Sequence, residues 1–119
     1  SHPAYLTSAY ILRGSQPHGV VLQHAPARVC DGQFGRHTMP TPASEIDLIE
    51  TFADTKVIGL TINHEHMSAP EVSAAIALYE AELGLMATDA LTHPPEHLVE
   101  MVISAFPELG NTLVPTAAR

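Results

Sequence analysis

Two short apolar runs limit what this chain can fold into more than any other feature. One covers residues 19–23 (Gly-Val-Val-Leu-Gln) and the other residues 56–62 (Lys-Val-Ile-Gly-Leu-Thr-Ile). Short runs rich in β-branched residues are typical of strands that are buried on both faces of a parallel sheet. We therefore expect an α/β protein with three α/β/α layers around a mainly parallel sheet.

Helix signals alternate with these strands. Apolar periodicity and terminal prolines predict helices over residues 3–12, 41–53 and 95–106, with Gly14 as the C-terminal stop signal of the first. The clearest helix follows the second strand, where Ser68 and Glu71 form an S-x-x-E capping box and Gly84 occupies the C′ position. Residues 85–89 are predicted to form a short strand near a sheet edge. Because two or three parallel strands make a thin sheet, we expect further strands from elsewhere in the protein.

The length of 119 residues corresponds to one domain or part of one. We assign residues 1–107 to it and residues 108–119, which show no periodicity, to a C-terminal tail. Hydrophobic residues make up 45% of the chain, but only 5% is aromatic and Trp is absent. The predicted core is therefore aliphatic.

Charge and cysteine content restrict the expected partners. The net charge of −8 argues against nucleic acid or an anionic membrane, both of which need a basic surface. Cys30 is the single cysteine, so no intrachain disulfide forms, and a reducing cytoplasm fits best. No apolar run reaches the roughly 18 residues that suggest a membrane span. We expect a small-molecule substrate and a homo-oligomer.

Polar side chains appear where each apolar run ends. In open α/β sheets, ligands bind beyond the carboxyl ends of the strands. The sequence therefore predicts a binding crevice at this edge, and its candidate residues are Gln23, His24 and Arg28 after the first strand and Asn63, His64 and Glu65 after the second.

These residue types indicate two kinds of chemistry. His24 or His64 can act as a general base near neutral pH, and the alternative is a histidine that anchors loop backbone. Arg28 is suited to bind a phosphate or carboxylate, and the alternative is a surface arginine paired with Asp31.

Other familiar motifs are incomplete or missing. His64 and His66 project to the same side of an extended segment, but the sequence places no third ligand, so we predict no metal site. Neither G-x-x-x-x-G-K-[ST] nor G-x-G-x-x-G occurs in the 119 residues. From its own residues, the chain has a binding crevice without a complete catalytic set.

Several segments together resemble the C-terminal domain of the D-glutamate N-acetyltransferase-like proteins, long catalogued as a domain of unknown function. The resemblance runs from Ser1 to about residue 102. The segments that carry it are Ser1-His2-Pro3-Ala4-Tyr5, Arg13-Gly14-Ser15-Gln16-Pro17, Val21-Leu22-Gln23-His24-Ala25-Pro26-Ala27-Arg28, Ile62-Asn63-His64-Glu65 and Gly84-Leu85-Met86-Ala87-Thr88-Asp89.

The resemblance implies that this chain is the distal half of a P-loop NTPase-like domain. The phosphate loop and an acidic, Walker-B-like segment would then lie upstream, in a missing N-terminal part of the protein. Ser1 and His2 would lie close to the phosphate or metal region. The domain is more distantly similar to dethiobiotin synthetases, which implies a nucleotide-base contact for Asn63.

The implied activity is transfer of an acetyl group from acetyl-CoA to the amino group of D-glutamate or a related D-amino acid. Such a reaction would use His24 or His64 as base, with Arg28 on the substrate carboxylate and Gln23 and Glu65 beside it. Two alternatives stay open. One is an ATP-dependent ligase or kinase-like enzyme that uses a nucleotide with Mg²⁺, and the other is a non-catalytic regulatory domain.

Overall fold

A computed structural model describes residues 6–28 and 38–110 of the chain. Helices and strands alternate along it as the sequence predicts. The elements are α1 (Leu6–Ser15), β1 (Val20–His24), α2 (Pro42–Ala53), β2 (Val57–Ile62), α3 (Ala69–Leu83), β3 (Met86–Thr88) and α4 (Glu96–Ala105).

The strands form a parallel sheet in the order β1-β2-β3. Leu60 at its centre lies opposite Leu22 on one side and Ala87 on the other. All three are buried, because a parallel sheet is covered by helices on its faces. The predicted α/β class and parallel sheet are confirmed.

Helices cover both faces of this sheet. On one face, Leu60 and Ile62 belong to a buried aliphatic cluster with Ile49 of α2, and Tyr79 of α3 packs against it. On the other face, Gly59 lies against the fully buried side chain of Met101 from α4. Adjacent strand residues point to opposite faces, so α4 lies across the sheet from α2 and α3.

Side-chain caps fix the starts of α2 and α3. The Thr41 hydroxyl accepts a hydrogen bond from the Ser44 N–H at 3.2 Å, and the Ser68 hydroxyl accepts one from the Glu71 N–H at 3.4 Å. Gly84 ends α3 in the left-handed conformation with φ 67°. The predicted N-cap and C′ glycine of α3 are confirmed.

Two chain segments differ from the sequence-based boundaries. Helix α1 continues through Gly14 to Ser15, because Gln16 takes the left-handed conformation (φ 48°) and Pro17 then prevents further helix. Residues 107–110 form a further helical turn. Residues 3–5 of the predicted first helix and residues 111–119 of the predicted tail lie outside the described residues.

The outer side of β1 has no strand partner among residues 6–28 and 38–110. Within the described residues, β1 pairs with β2 alone. A groove of about 400 Å³ runs along it, bordered by α1, β1 and Ile49 of α2. Val21, in the middle of β1, is 40% exposed there.

The contact between β2 and α4 gives a first prediction. A Cβ atom at Gly59 would overlap the buried side chain of Met101. We expect Gly59→Ala to lower the free energy of unfolding by about 1–3 kcal/mol, the usual cost of overpacking a core. Chemical denaturation measures this.

Gly14→Ala is the matched control. An added Cβ at Gly14 meets nothing within 4 Å, and the residue lies inside α1. It should raise stability by roughly 0.5–1 kcal/mol, because alanine is the better helix former. Equal stability of the two variants would contradict the proposed packing of α4 on β2.

Candidate functional site

The carboxyl ends of β2 and β3 bring a histidine and a carboxylate into contact. Thr61 of β2 lies opposite Thr88 of β3, so the residues that follow these strands emerge at the same edge of the sheet. There His64 Nδ1 lies 2.6 Å from Asp89 Oδ2. The Asp89 side chain is fully buried, whereas that of His64 is 35% exposed.

Asp89 is held as a carboxylate. Burial by itself would raise the pKa of Asp89, but hydrogen bonds from the Leu91 N–H, the Thr92 side chain and His64 outweigh it and hold the pKa below 3.8. The Leu91 N–H donates to Asp89 Oδ1 at 3.0 Å. Asp89 is therefore ionised at neutral pH and fixed in direction.

An ionised carboxylate only accepts hydrogen bonds, so His64 must donate from Nδ1 to Asp89. In the neutral imidazole, Nε2 then carries the free lone pair and is the atom that can take a proton. A cavity of about 220 Å³ adjoins this pair and is lined by His64, Met67, Ala69, Val72, Ser73, Asp89, Thr92 and His93. The arrangement is that of a general base oriented by a buried carboxylate.

Arg28 and Glu65 form a two-point ion pair at the same edge. Arg28 Nε lies 2.7 Å from Glu65 Oε1, and Arg28 Nη2 lies 2.9 Å from Glu65 Oε2. The pair joins the segment after β1 to the turn after β2, and the two side chains are 40% and 32% exposed. The hydrogen bonds from Arg28 lower the pKa of Glu65. Asp31, the partner considered from sequence, lies outside the described residues.

Asn63 shapes the turn that carries His64 and Glu65. Its Oδ1 accepts a hydrogen bond from the Glu65 N–H at 3.2 Å, and its own N–H donates to the His24 carbonyl at 2.7 Å. His66 completes the turn in the left-handed conformation with φ 60°. Asn63 thus has a local structural role at the strand end.

The structure separates Gln23 from His24. The two residues point to opposite faces of the sheet, and Gln23 is exposed. The His24 ring packs edge-on against Tyr79 of α3, with ring centroids 5.6 Å apart. Burial lowers the pKa of His24, and the nearby Glu45 only partly opposes this.

Two further parts of the sequence-based prediction are the N-terminal pair Ser1 and His2 and the His64-Glu65-His66 run. Ser1 and His2 lie outside the described residues. In the His64-Glu65-His66 run, His64 contacts Asp89 while Glu65 binds Arg28.

Within residues 6–28 and 38–110, no three His, Cys, Asp or Glu side chains lie close enough to hold a metal ion. No helix in these ranges is long and apolar enough to span a bilayer.

Sequence reasoning did not single out Asp89. It directly follows the short apolar run that forms β3, as Asn63 directly follows β2. Applying the strand-end rule to the third strand would have identified it. The pairing of Arg28 with Glu65 could not be predicted from the sequence, because 37 positions separate the two residues.

Comparison with known families places these features in context. The family model described as "Domain of unknown function (DUF1611_C) P-loop domain" matches residues 1–99. The chain belongs to the DUF1611 family. The P-loop NTPase-like domain expected from the resemblance is thereby supported, although the 119 residues contain no phosphate-binding loop motif.

Two relatives of the DUF1611 chain are informative. A protein of Tritonibacter scottomollicae named D-glutamate N-acetyltransferase is 26% identical over 95 residues, which is 76% of this chain and 28% of that protein. The crystal structure of a DUF1611 family protein from Anabaena variabilis superposes with a TM-score of 0.77 at 29% identity, covering 87% of this chain and 32% of that one. The chain therefore spans about a third of the length of these relatives.

The buried position of His24 predicts a pH dependence of stability. Because its pKa is lowered in the folded chain, the unfolded chain binds the proton more readily below the ordinary value of 6.5. The free energy of unfolding should therefore fall as pH drops from neutral through 6.5. His24→Gln should reduce this loss.

Denaturant titrations at several pH values measure the effect. His18→Gln, at an exposed position before β1, is the matched control and should keep the wild-type dependence. If the stability of His24→Gln depended on pH as that of the wild type does, His24 would not be the source of the pH dependence.

Proposed function

We propose that this domain supplies the proton-accepting part of an N-acetyltransferase active site. The intact protein would move an acetyl group from acetyl-CoA to the amino group of D-glutamate or a related D-amino acid. One observation carries the proposal: the 2.6 Å contact that fixes His64 through the buried Asp89. The name of the Tritonibacter relative supports the choice of reaction.

Acetyl transfer to an amine requires a base. The amino group of an amino acid is protonated at neutral pH and must lose a proton before its nitrogen can attack. His64 Nε2 would accept that proton. The nitrogen would then bond to the thioester carbonyl carbon as the carbon–sulfur bond breaks. It would lose its second proton to become an amide nitrogen, and the departing sulfur would take up one proton and leave as a thiol.

His64 is a better candidate for this role than His24. Both lie at the carboxyl ends of buried strands, but only for His64 does the structure describe a carboxylate partner that fixes the ring and its tautomer. His24 instead packs on Tyr79, an arrangement that also accounts for it as a structural residue.

Substrate recognition would involve the neighbouring polar groups. Arg28 is suited to the substrate carboxylate because its guanidinium already binds a carboxylate at two points. Gln23 remains a proposed substrate contact, and Glu65 remains proposed to take part in substrate binding through its contact with Arg28. Asn63, Ser1 and His2 remain proposed contacts of the coenzyme, whose adenine nucleotide would meet Asn63.

The base assignment gives a direct prediction. In the intact protein, His64→Gln should lower kcat by about 10²- to 10⁴-fold, the range of a lost general base. Asp89→Asn should lower kcat at pH 7 by up to a similar factor, because an amide can hold the imidazole in the wrong tautomer. Steady-state acetylation rates measured across pH test both variants.

The pH profile separates positioning from simple structural damage. Asp89→Asn should shift the pH dependence of kcat, whereas a merely destabilised protein would keep the wild-type profile at reduced amplitude. His18→Gln, at the opposite ends of the strands, is the matched control and should retain wild-type kcat. Unchanged turnover in His64→Gln would exclude His64 as the base.

A nucleotide-dependent ligase or kinase-like enzyme is the second candidate. The P-loop description of the DUF1611 domain favours it. ATP with Mg²⁺ would then stabilise the intact protein against heat, while acetyl-CoA would have no such effect. Stabilisation by acetyl-CoA alone, with acetylated product formed, supports the first proposal instead.

A further inference from the structure

Arg28 binds the carboxylate of Glu65 in the geometry with which an arginine binds the carboxylate of a ligand. Both nitrogens on one edge of the guanidinium face the two oxygens of a single carboxylate, at 2.7 and 2.9 Å. Arginine binds substrate carboxylates in this same planar, two-point manner. In the structure, the carboxylate comes from the protein itself.

The position of the pair connects it to the proposed base. Glu65 follows His64 directly in the turn after β2, and Arg28 reaches it from the segment after β1. A carboxylate that replaced Glu65 on Arg28 would therefore lie at the same edge of the sheet as His64 and Asp89.

Exchange of one carboxylate for another is physically feasible here. Both side chains are about one-third to two-fifths exposed, so water and an incoming anion can reach the contact. Exposed ion pairs contribute little net stability, because solvent screens them and ordering two long side chains costs entropy. The chain also has a net charge of −8, so an anionic substrate needs a local cation to approach it.

We propose that Glu65 is an internal competitor for a substrate carboxylate that binds Arg28. In the absence of substrate, the carboxylate of Glu65 binds the Arg28 guanidinium and keeps it oriented. A carboxylate-bearing substrate takes its place, and Glu65 thereby sets the affinity and restricts this position to anions of matching shape. This inference rests on the proposed function for the choice of an amino acid substrate, but its binding step does not require acetyl transfer.

Binding of glutarate to the intact protein tests the proposal without any turnover. Isothermal titration should show that Glu65→Gln binds glutarate about 2- to 5-fold more tightly than wild type. This is the change in affinity that corresponds to losing the net stabilisation of an exposed ion pair. Arg28→Gln should bind it about tenfold more weakly or worse, since charge-assisted hydrogen bonds are lost. Both variants should bind the neutral analogue glutaramide with the same affinity as wild type.

Lys56→Gln is the matched control, because it removes another exposed ion pair, that with Glu50, at the opposite end of β2. It should leave glutarate affinity unchanged. If Glu65→Gln weakens glutarate binding as Arg28→Gln does, the pair is a structural link between two loops and the proposal is wrong. If neither variant alters the affinity, Arg28 does not bind the carboxylate.

The two proposals fail separately. Opposite changes in glutarate affinity in a protein without acetylation activity would retain the carboxylate site and reject the reaction. Acetylation that depends on His64 but is indifferent to Arg28 and Glu65 would retain the reaction and reject the competitor role.

Discussion

The parallel pairing of β2 with β3 is the constraint on which the candidate site depends. It places Thr61 beside Thr88 and so delivers the residues after both strands to one edge. His64 and Asp89 are 25 positions apart in sequence, and α3 lies between them. The register of the strands, set by buried aliphatic side chains, therefore determines the distance between the proposed base and its carboxylate.

Two carboxylates at this edge show how environment assigns different roles. Asp89 is buried and has several hydrogen-bond donors, so it is ionised and fixed in place. Glu65 is partly exposed and its hydrogen-bonded partner is a cation on a neighbouring segment. The first arrangement is suited to orienting a ring, and the second to exchanging partners with a ligand.

Much of the fold was predictable because local signals agreed with the packing. The apolar runs became β1 and β2, and the capping residues Ser68 and Gly84 mark the two ends of α3. The end of α1 was less predictable, since Gln16 rather than a glycine takes the left-handed conformation. Helix interiors carry a repeated pattern, whereas a helix end can depend on one residue.

The site was only partly predictable, for geometrical reasons. Strand ends drew attention to His64 and Arg28, but their partners depend on register and loop path. Gln23 and His24 were expected in one cluster because they are adjacent in sequence, yet the alternation of a strand turns them to opposite faces. That separation follows from sequence alone once the strand is assigned.

The open side of β1 has a practical consequence for handling the 119-residue polypeptide by itself. Within the described residues, no strand pairs with the outer side of β1, and the valine at its centre is exposed, so this side can act as a template for the same strand of another molecule. Concentrated samples are then prone to aggregation through pairing of β1 strands from different molecules, and to precipitation. A lysine at position 21 would place a charge on this surface and favour dispersed molecules.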